Sequence, residues 1–416
     1  MARRPAPKWV RVGATAVAVV AVAEVAAWIL RPRDVIEPVQ VEEGSYFASA
    51  ELERAHDYRS TQRLLTVGGL LAEGAVLVLL VAGRPRWARR ALERAGERPV
   101  LGGAATAAGL VVAVELGALP FAIAAHERAV EVGLSTQSLG EWGADAVKAT
   151  VVSAVIAAAA GTAALALLRR FGGRWWIPGS AVFVGLAVTM IWVAPVLLAP
   201  LFNKFDRLEQ GQARSDVLEL ADKAGVDVGE VYRVDASRQT TGLNAYVSGL
   251  GSTKRVVLYD NLLQALDRGQ RRSVIAHELS HAENQDVPRG LLWLALVTPL
   301  ALLLVSQLAS AFSAREPREL GRPASLPALA LALALVSFGV GALGNRLSRE
   351  VEERADTRAL ELTNDPQALI RLQREITLRN IGDPDPPALY RLVFGTHPST
   401  VVRIGAALAW ERGERP

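Results

Sequence analysis

Seven long apolar runs, at about 12–30, 64–82, 101–124, 151–168, 177–198, 291–312 and 326–343, limit what this chain can fold into more than any other feature. Each approaches the ~20 residues that a helix needs to cross the hydrocarbon core. No water satisfies the backbone inside a bilayer, so each run must close its own hydrogen bonds as a helix. At 51% hydrophobic residues and a mean hydropathy of +0.23, the 416-residue chain is too apolar, and too unevenly so, for a soluble globule. The expectation is a mainly α polytopic membrane protein with seven transmembrane helices. The first run reads as an anchor and not a cleaved signal, because its apolar stretch exceeds the usual length and Arg31-Pro32-Arg33 supplies no small-residue cleavage site. The absence of cysteine excludes disulfides, thiolate ligands and a cysteine nucleophile. A net charge of +4 does not point to nucleic acid, since the arginines cluster in short loops beside the runs and form no stripe interleaved with aromatics.

One long polar insert, 203–288, interrupts this pattern and divides the chain into 1–202, 203–288, 289–347 and 348–416. Its periodicity predicts a helix over 213–224 closed by Gly225, and a strand at Val231-Tyr232-Arg233-Val234. Tyr246-Val247-Ser248 and the run from Arg255 to Tyr259 flank the turn Gly249-Leu250-Gly251-Ser252, a hairpin signal. Helices over 261–267 and 270–283 follow, so the insert is a small α+β unit.

The second of those helices carries His277-Glu278-Leu279-Ser280-His281, an H-E-x-x-H pattern. Residues four apart lie one above the other on a helix, so both imidazoles can face one Zn²⁺, with Glu278 beside them as general base. Residue frequencies alone would give this pattern in on the order of 1% of chains this long. Charged residues flank it on both sides, from Asp267 to Arg272 and from Glu283 to Asp286, which places it at the membrane boundary and outside the hydrocarbon. A short sheet beside such a helix can offer an edge strand to an extended peptide. Asn244-Ala245-Tyr246 is the candidate edge; on spacing alone it reads equally well as an ordinary strand end.

A catalytic zinc needs a third protein ligand and an open position. Ser348-Arg349-Glu350-Val351-Glu352-Glu353-Arg354-Ala355-Asp356 has helical spacing, with Glu352 and Asp356 on one face. Glu352 would ligate, and Asp356 would accept the other N–H of a ligating histidine. Spacing alone equally allows a solvated charged helix.

Ser348, Arg349, Glu352 and Asp356 resemble the S-R-x-x-E-x-x-x-D signature of the type I CAAX prenyl protease family, zinc endopeptidases embedded in membranes. Ala199-Pro200-Leu201-Phe202-Asn203-Lys204-Phe205 resembles the family's P-L-F-N-K-F stretch after its fifth membrane helix. Asn244-Ala245-Tyr246 resembles its N-A-Y edge strand, and Thr396-His397-Pro398 with Arg403 its C-terminal H-P…R element. The segment from His126-Glu127-Arg128 to Leu134-Ser135-Thr136 departs from the family's acidic and aromatic loop after the third helix.

The resemblance implies one zinc per chain on His277, His281 and Glu352, and substrate held by Asn244, Ala245 and Tyr246. It also implies a water-filled chamber enclosed by seven helices, which Glu24, Glu73 and Glu115 would line unless they snorkel to an interface. His397 and Arg403 would stabilise the oxyanion; without the resemblance, His397 beside Pro398 is an ordinary loop residue. The expected partners are a peptide or membrane-protein substrate and the lipid bilayer, with no nucleic acid, and the chain is expected to act as a monomer. Two other readings are a heat-shock-type membrane quality-control protease, whose shorter architecture fits five spans before the zinc helix poorly, and a transporter or scaffold with a structural zinc. The second has no need of Glu278.

Arginine placement predicts orientation. Arg3, Arg4, Lys8 and Arg11 precede the first run, and Arg84, Arg86, Arg89, Arg90, Arg94 and Arg98 fill the second loop. Arg169, Arg170 and Arg174 fill the fourth loop, and Arg315, Arg318 and Arg322 the sixth. That distribution puts the N-terminus in the cytoplasm of a multi-pass cell-membrane protein and the zinc insert on the extracytoplasmic side.

Overall fold

A computed structural model describes residues 7–83, 85–249, 254–313 and 320–415. The turn residues Leu250, Gly251 and Ser252, and the loop arginines Arg3, Arg4, Arg84, Arg315 and Arg318, lie outside the described residues.

The chain opens with α1 (Lys8–Leu30), α2 (Ser49–Val78), α3 (Arg86–Glu97), α4 (Pro99–Glu131), α5 (Leu139–Phe171) and α6 (Trp176–Val193). The insert holds β1 (Phe205–Arg207), α7 (Gln212–Lys223), β2 (Glu230–Val234), β3 (Ala245–Ser248), β4 (Arg255–Tyr259), α8 (Asp260–Ala265) and α9 (Arg268–Glu283). Then follow α10 (Asp286–Ser313), α11 (Leu326–Thr363), α12 (Pro366–Arg379), α13 (Ala388–Phe394) and α14 (Thr400–Glu411). Among the described residues seven helices are long and apolar enough to cross a membrane, and each contains one of the seven runs.

These helices form a closed ring in which α2 neighbours α4, α4 neighbours α5, and α5 touches α6. From α6 the ring continues through α10 and α11, with α1 packed on both, back to α2. Ring packing explains why α2, α4, α5 and α6 bury at most 11% of their apolar windows, whereas α10 and α11 each bury 39%. Polar side chains tie the better-packed side together, as where Trp293 Nε1 donates to the Ala23 carbonyl and Trp175 Nε1 to Ser306 Oγ, each at 3.1 Å. Glu24 does not stand alone in its helix but pairs with Arg346 at 3.3 Å. The arginine-rich second loop is not irregular: residues 86–97 form α3, whose alanines, leucine and arginines are good helix formers but too few for a span.

The insert's sheet has the order β1-β2-β4-β3, with β2 and β4 parallel and both outer pairs antiparallel, so β3 is an edge. One apolar core joins this sheet, α7, α9, the end of α11, α12 and α14. The connection between α1 and α2 belongs to it as well, because Ile36 and Phe47 are buried there. Val39 N donates to the Gly405 carbonyl, and a Cβ at Gly405 would meet Val39 O at 2.2 Å, so only glycine fits that approach. The boundary expected at 347/348 falls inside α11, which runs unbroken for 38 residues from the membrane into the catalytic core.

Candidate active site

Helix α9 starts with a capping box: Asp267 accepts from Gln270 N at 2.9 Å, and Gln270 Oε1 accepts from Asp267 N at 2.8 Å. Its inner face, with Ile275, Ala276 and Leu279 fully buried, fixes the rotation of the helix against the core. That rotation turns His277 and His281 toward α11. The facing stretch of α11 carries Ala355 and Ala359, almost fully buried, and their small side chains let the two helices approach closely.

Glu352 completes a cluster of three. His277 Nε2 and His281 Nε2 lie 3.3 Å apart, and the Glu352 carboxylate stands 3.2 Å from the first and 3.5 Å from the second. Ligands held ~2.0–2.1 Å from a tetrahedral ion are separated by about 3.3–3.4 Å, so the donor set and its spacing fit Zn²⁺. Glu352 Oε2 is moreover buried, and its polar neighbours are imidazole nitrogens, His277 Nε2 at 3.2 Å and His397 Nε2 at 3.5 Å.

Carboxylates behind the imidazoles fix their orientation. Asp356 Oδ1 lies 2.9 Å from His277 Nδ1, and Asp286 Oδ2 lies 2.9 Å from His281 Nδ1. Each carboxylate is held by an arginine: Asp356 accepts from Arg403 Nε at 2.7 Å and Nη2 at 2.5 Å, and Asp286 pairs with Arg354. Burial alone would lower the His277 pKa, but the contacts with Asp356 and Glu352 outweigh it and raise it to about 10 in the metal-free protein. Burial raises Glu352, yet His277 and the neighbouring imidazoles bring it down to about 2. Asp356 is likewise held below the carboxylate range, its desolvation overcome by the Arg403 charge and the His277 contact. Burial pushes the Glu278 carboxyl up, against the pull of His277 and His281.

Glu278 and His277 form the floor of a cavity of about 630 Å³, walled by Leu243, Asn244 and Ala245 on one side and by Asn380, His397 and Arg403 on others. Strand β3 runs beside α9 and, among the described residues, pairs with β4 alone. Side chains alternate along a strand, so Ala245 and Tyr246 point to opposite faces of the sheet. Ala245 enters the main core, while Tyr246 packs on the opposite face with Val257 and Tyr232, outside the cavity lining. Arg403 lines the cavity and is buried, with Nε and Nη2 on Asp356, so those two nitrogens hold the carboxylate behind His277. His397 has its side chain 60% exposed and Nε2 3.5 Å from Glu352. Leu134, from the loop that departs from the family pattern, also lines the cavity, and that loop pairs with the insert where Thr136 N donates to the Gln239 carbonyl.

Sequence reasoning missed Asp286 and Arg354. Helix α9 ends at Glu283, and Gln285 at φ 54° turns the chain so that Asp286 folds back on His281. No helical spacing reveals a contact made across a helix end; the left-handed residue is the only local signal, and glutamine does not announce it.

Comparison with known proteins gives the family. Residues 207–411 match peptidase family M48, and residues 38–204 match the CAAX prenyl protease N-terminal region, described as five membrane helices. The chain is 28% identical over 380 residues to the uncharacterised metalloprotease YhfN of Bacillus subtilis, covering 89% of this chain and 88% of that one. It is 29% identical over 285 residues to a CAAX prenyl protease 1 homolog of Arabidopsis thaliana, covering 66% and 65% respectively. The crystal structure of S. mikatae Ste24p shares the fold at a TM-score of 0.73 and 18% identity, covering 97% of this chain and all of that one. The two family matches together leave only residues 1–37, 205–206 and 412–416 uncovered, and the protein belongs to peptidase family M48, as a multi-pass membrane metalloprotease similar to the CAAX prenyl proteases.

Proposed function

We propose that the protein is a zinc endopeptidase with one catalytic Zn²⁺ on His277, His281 and Glu352. The observation that carries this reading is the three ligand atoms gathered within 4.8 Å, with His277 and the adjacent Glu278 lining a cleft bordered by the edge strand β3. A bound Zn²⁺ polarises a peptide carbonyl and brings the pKa of an attacking water toward ~7. Glu278 takes the proton from that water and returns it to the departing amine, a task suited to a carboxyl raised by burial. The free edge of β3 from Asn244 to Tyr246 aligns an extended substrate through main-chain hydrogen bonds. His397 donates from Nε2 as negative charge grows on the carbonyl oxygen. Asp356 and Asp286 accept the Nδ1 protons, which leaves both Nε2 lone pairs facing the metal.

In this reading 1–202 and 289–347 hold the site at the membrane boundary, 203–288 carries the histidines and 348–416 supplies Glu352 and His397. The substrates are peptides or membrane proteins, and prenylated C-termini are the first class to try, given the name carried by the relatives. The protein acts as a monomer, since one chain supplies every group named. The test uses the full chain in nanodiscs with internally quenched peptides. Chelation should abolish cleavage, stoichiometric Zn²⁺ should restore it, and the product termini should lie inside the peptide. Cleavage that survives complete metal removal overturns the proposal.

The loop between α4 and α5 contacts the insert, whereas Arg169 Nε donates to the Gly321 carbonyl at 2.6 Å beside α3, at the other end of the ring. The arginines of α3 and the α5–α6 turn make that other end cytoplasmic under the positive-inside rule, and the cleft extracytoplasmic. Cysteines at the exposed positions Leu139 and Arg322 report this directly in a chain with none of its own. An impermeant maleimide should label position 139 on intact cells and position 322 only after lysis. The reverse pattern puts the cleft in the cytoplasm.

A further inference from the structure

We propose that Glu43, His56 and Asp383 form a second divalent-cation site, separate from the catalytic cluster, that takes Zn²⁺ or Mn²⁺ and braces the wall of the cleft. The three come from remote parts of the chain: the turn Glu43–Ser45, the extramembrane end of α2, and the segment between α12 and α13. One ligand atom from each lies within 4.8 Å of the others. His56 Nε2 and Asp383 Oδ1 are 3.4 Å apart, the same spacing found between the ligand atoms of the catalytic cluster and the edge length of a tetrahedral zinc site.

Asp383 is held in place for this task. Its side chain is only 3% exposed, Oδ2 is taken by Arg63, and Oδ1 faces His56 while accepting from Asp385 N at 3.2 Å. No hydrogen bond or ion pair reaches the Glu43 carboxylate among the described residues, although it stands against a second carboxylate. Arg63 pairs with Asp383, while Glu53 and Asp57 add carboxylates to the depression on which the site opens. An imidazole with two carboxylates suits a borderline metal better than Ca²⁺, which prefers oxygen alone. The site opens on a shallow depression lined by Leu52, Glu53 and Ser60, leaving room for water as a further ligand.

The location gives the site a consequence for the cleft. Arg59, one turn along α2 from His56, donates to the Ile381 carbonyl at 2.7 Å and to the Asn380 carbonyl at 2.5 Å. Arg59, Asn380 and Gly382 all line the catalytic cavity. A cation on Glu43, His56 and Asp383 would pin the back of that wall to the α1–α2 connection.

The test is metal counting on the full chain in nanodiscs, stripped by chelator and re-equilibrated with buffered Zn²⁺. Wild type should hold two equivalents. His56→Ala and Glu43→Gln should each hold one and keep peptidase activity, which also shows that they fold. Glu352→Ala should hold one, and the Glu352→Ala/His56→Ala pair none. One equivalent in wild type, unchanged in His56→Ala, overturns the proposal and leaves a metal-free His56–Asp383 ion pair. Two equivalents in Glu352→Ala would instead sink the catalytic assignment without touching this one.

Discussion

In α9, Ile275, Ala276 and Leu279 have no exposed surface, and the charged groups around them are paired across helices. In α6, by contrast, none of the apolar window is buried within the protein. Helix α9 mixes arginines, histidines and glutamates with a few apolar residues, whereas α6 carries no charge at all, so one is held by its own interior and the other by the surrounding lipid. Chemistry depends on side chains fixed to fractions of an ångström, so it sits where packing over-determines position. The ring needs only apolar composition and a few interhelical contacts, which leaves its side chains freer to vary.

Substitutions should therefore differ sharply between the regions. Glu352→Ala removes one of the three proposed ligands and should abolish both catalytic-site zinc and cleavage; zinc retained there would identify another carboxylate as the ligand. Glu278→Gln should keep the zinc while cleavage falls by about 10³–10⁴-fold, and a near wild-type rate would break the contrast at its centre.

Zinc affinity should also follow proton competition at His277. With its metal-free pKa raised to about 10, the imidazole stays protonated below that value, and each metal bound there displaces one proton. Affinity should rise about tenfold per pH unit from pH ~6 to ~9, with Glu352 ionised throughout. A flat profile in calorimetry would mean that the proton sits elsewhere. Asp286→Asn loosens His281 without removing a ligand and should weaken zinc by roughly 10–100-fold. The smallest effect belongs to the ring: Gln307→Leu removes the 3.0 Å bond to Thr15 Oγ1 and should cost about 1 kcal/mol or less, with zinc and cleavage unchanged. A large loss of activity there would show that the ring is as tightly specified as the site.

The same contrast governs what could be read without coordinates. Spans are legible because bilayer thickness imposes a length, and His277 with His281 because the helix imposes a spacing. Glu352 and Asp356 were legible as one helical face, but which carboxylate meets which histidine is decided by the crossing of α9 and α11. Ile36 and Phe47 left no signal, since an irregular connection has no repeat to betray its buried side. Asp286 escaped because a reversal at one left-handed residue brings it to His281. The side Tyr246 takes follows from strand alternation once Ala245 is seated in the core.

The unbroken α11 acts as a ruler as well as a support. From Leu343, at the end of the apolar run, to Glu352 the rise is about 13 Å along a single helix. A membrane-tethered substrate must therefore reach that height with about four extended residues before its scissile bond meets the histidines. Phase is tied to height in the same rod: one inserted residue turns Glu352 by about 100° away from α9, whereas seven restore its heading but raise the far end by about 10 Å. Lineages with a thicker or thinner bilayer can retune the reach of the cut only in steps of whole turns.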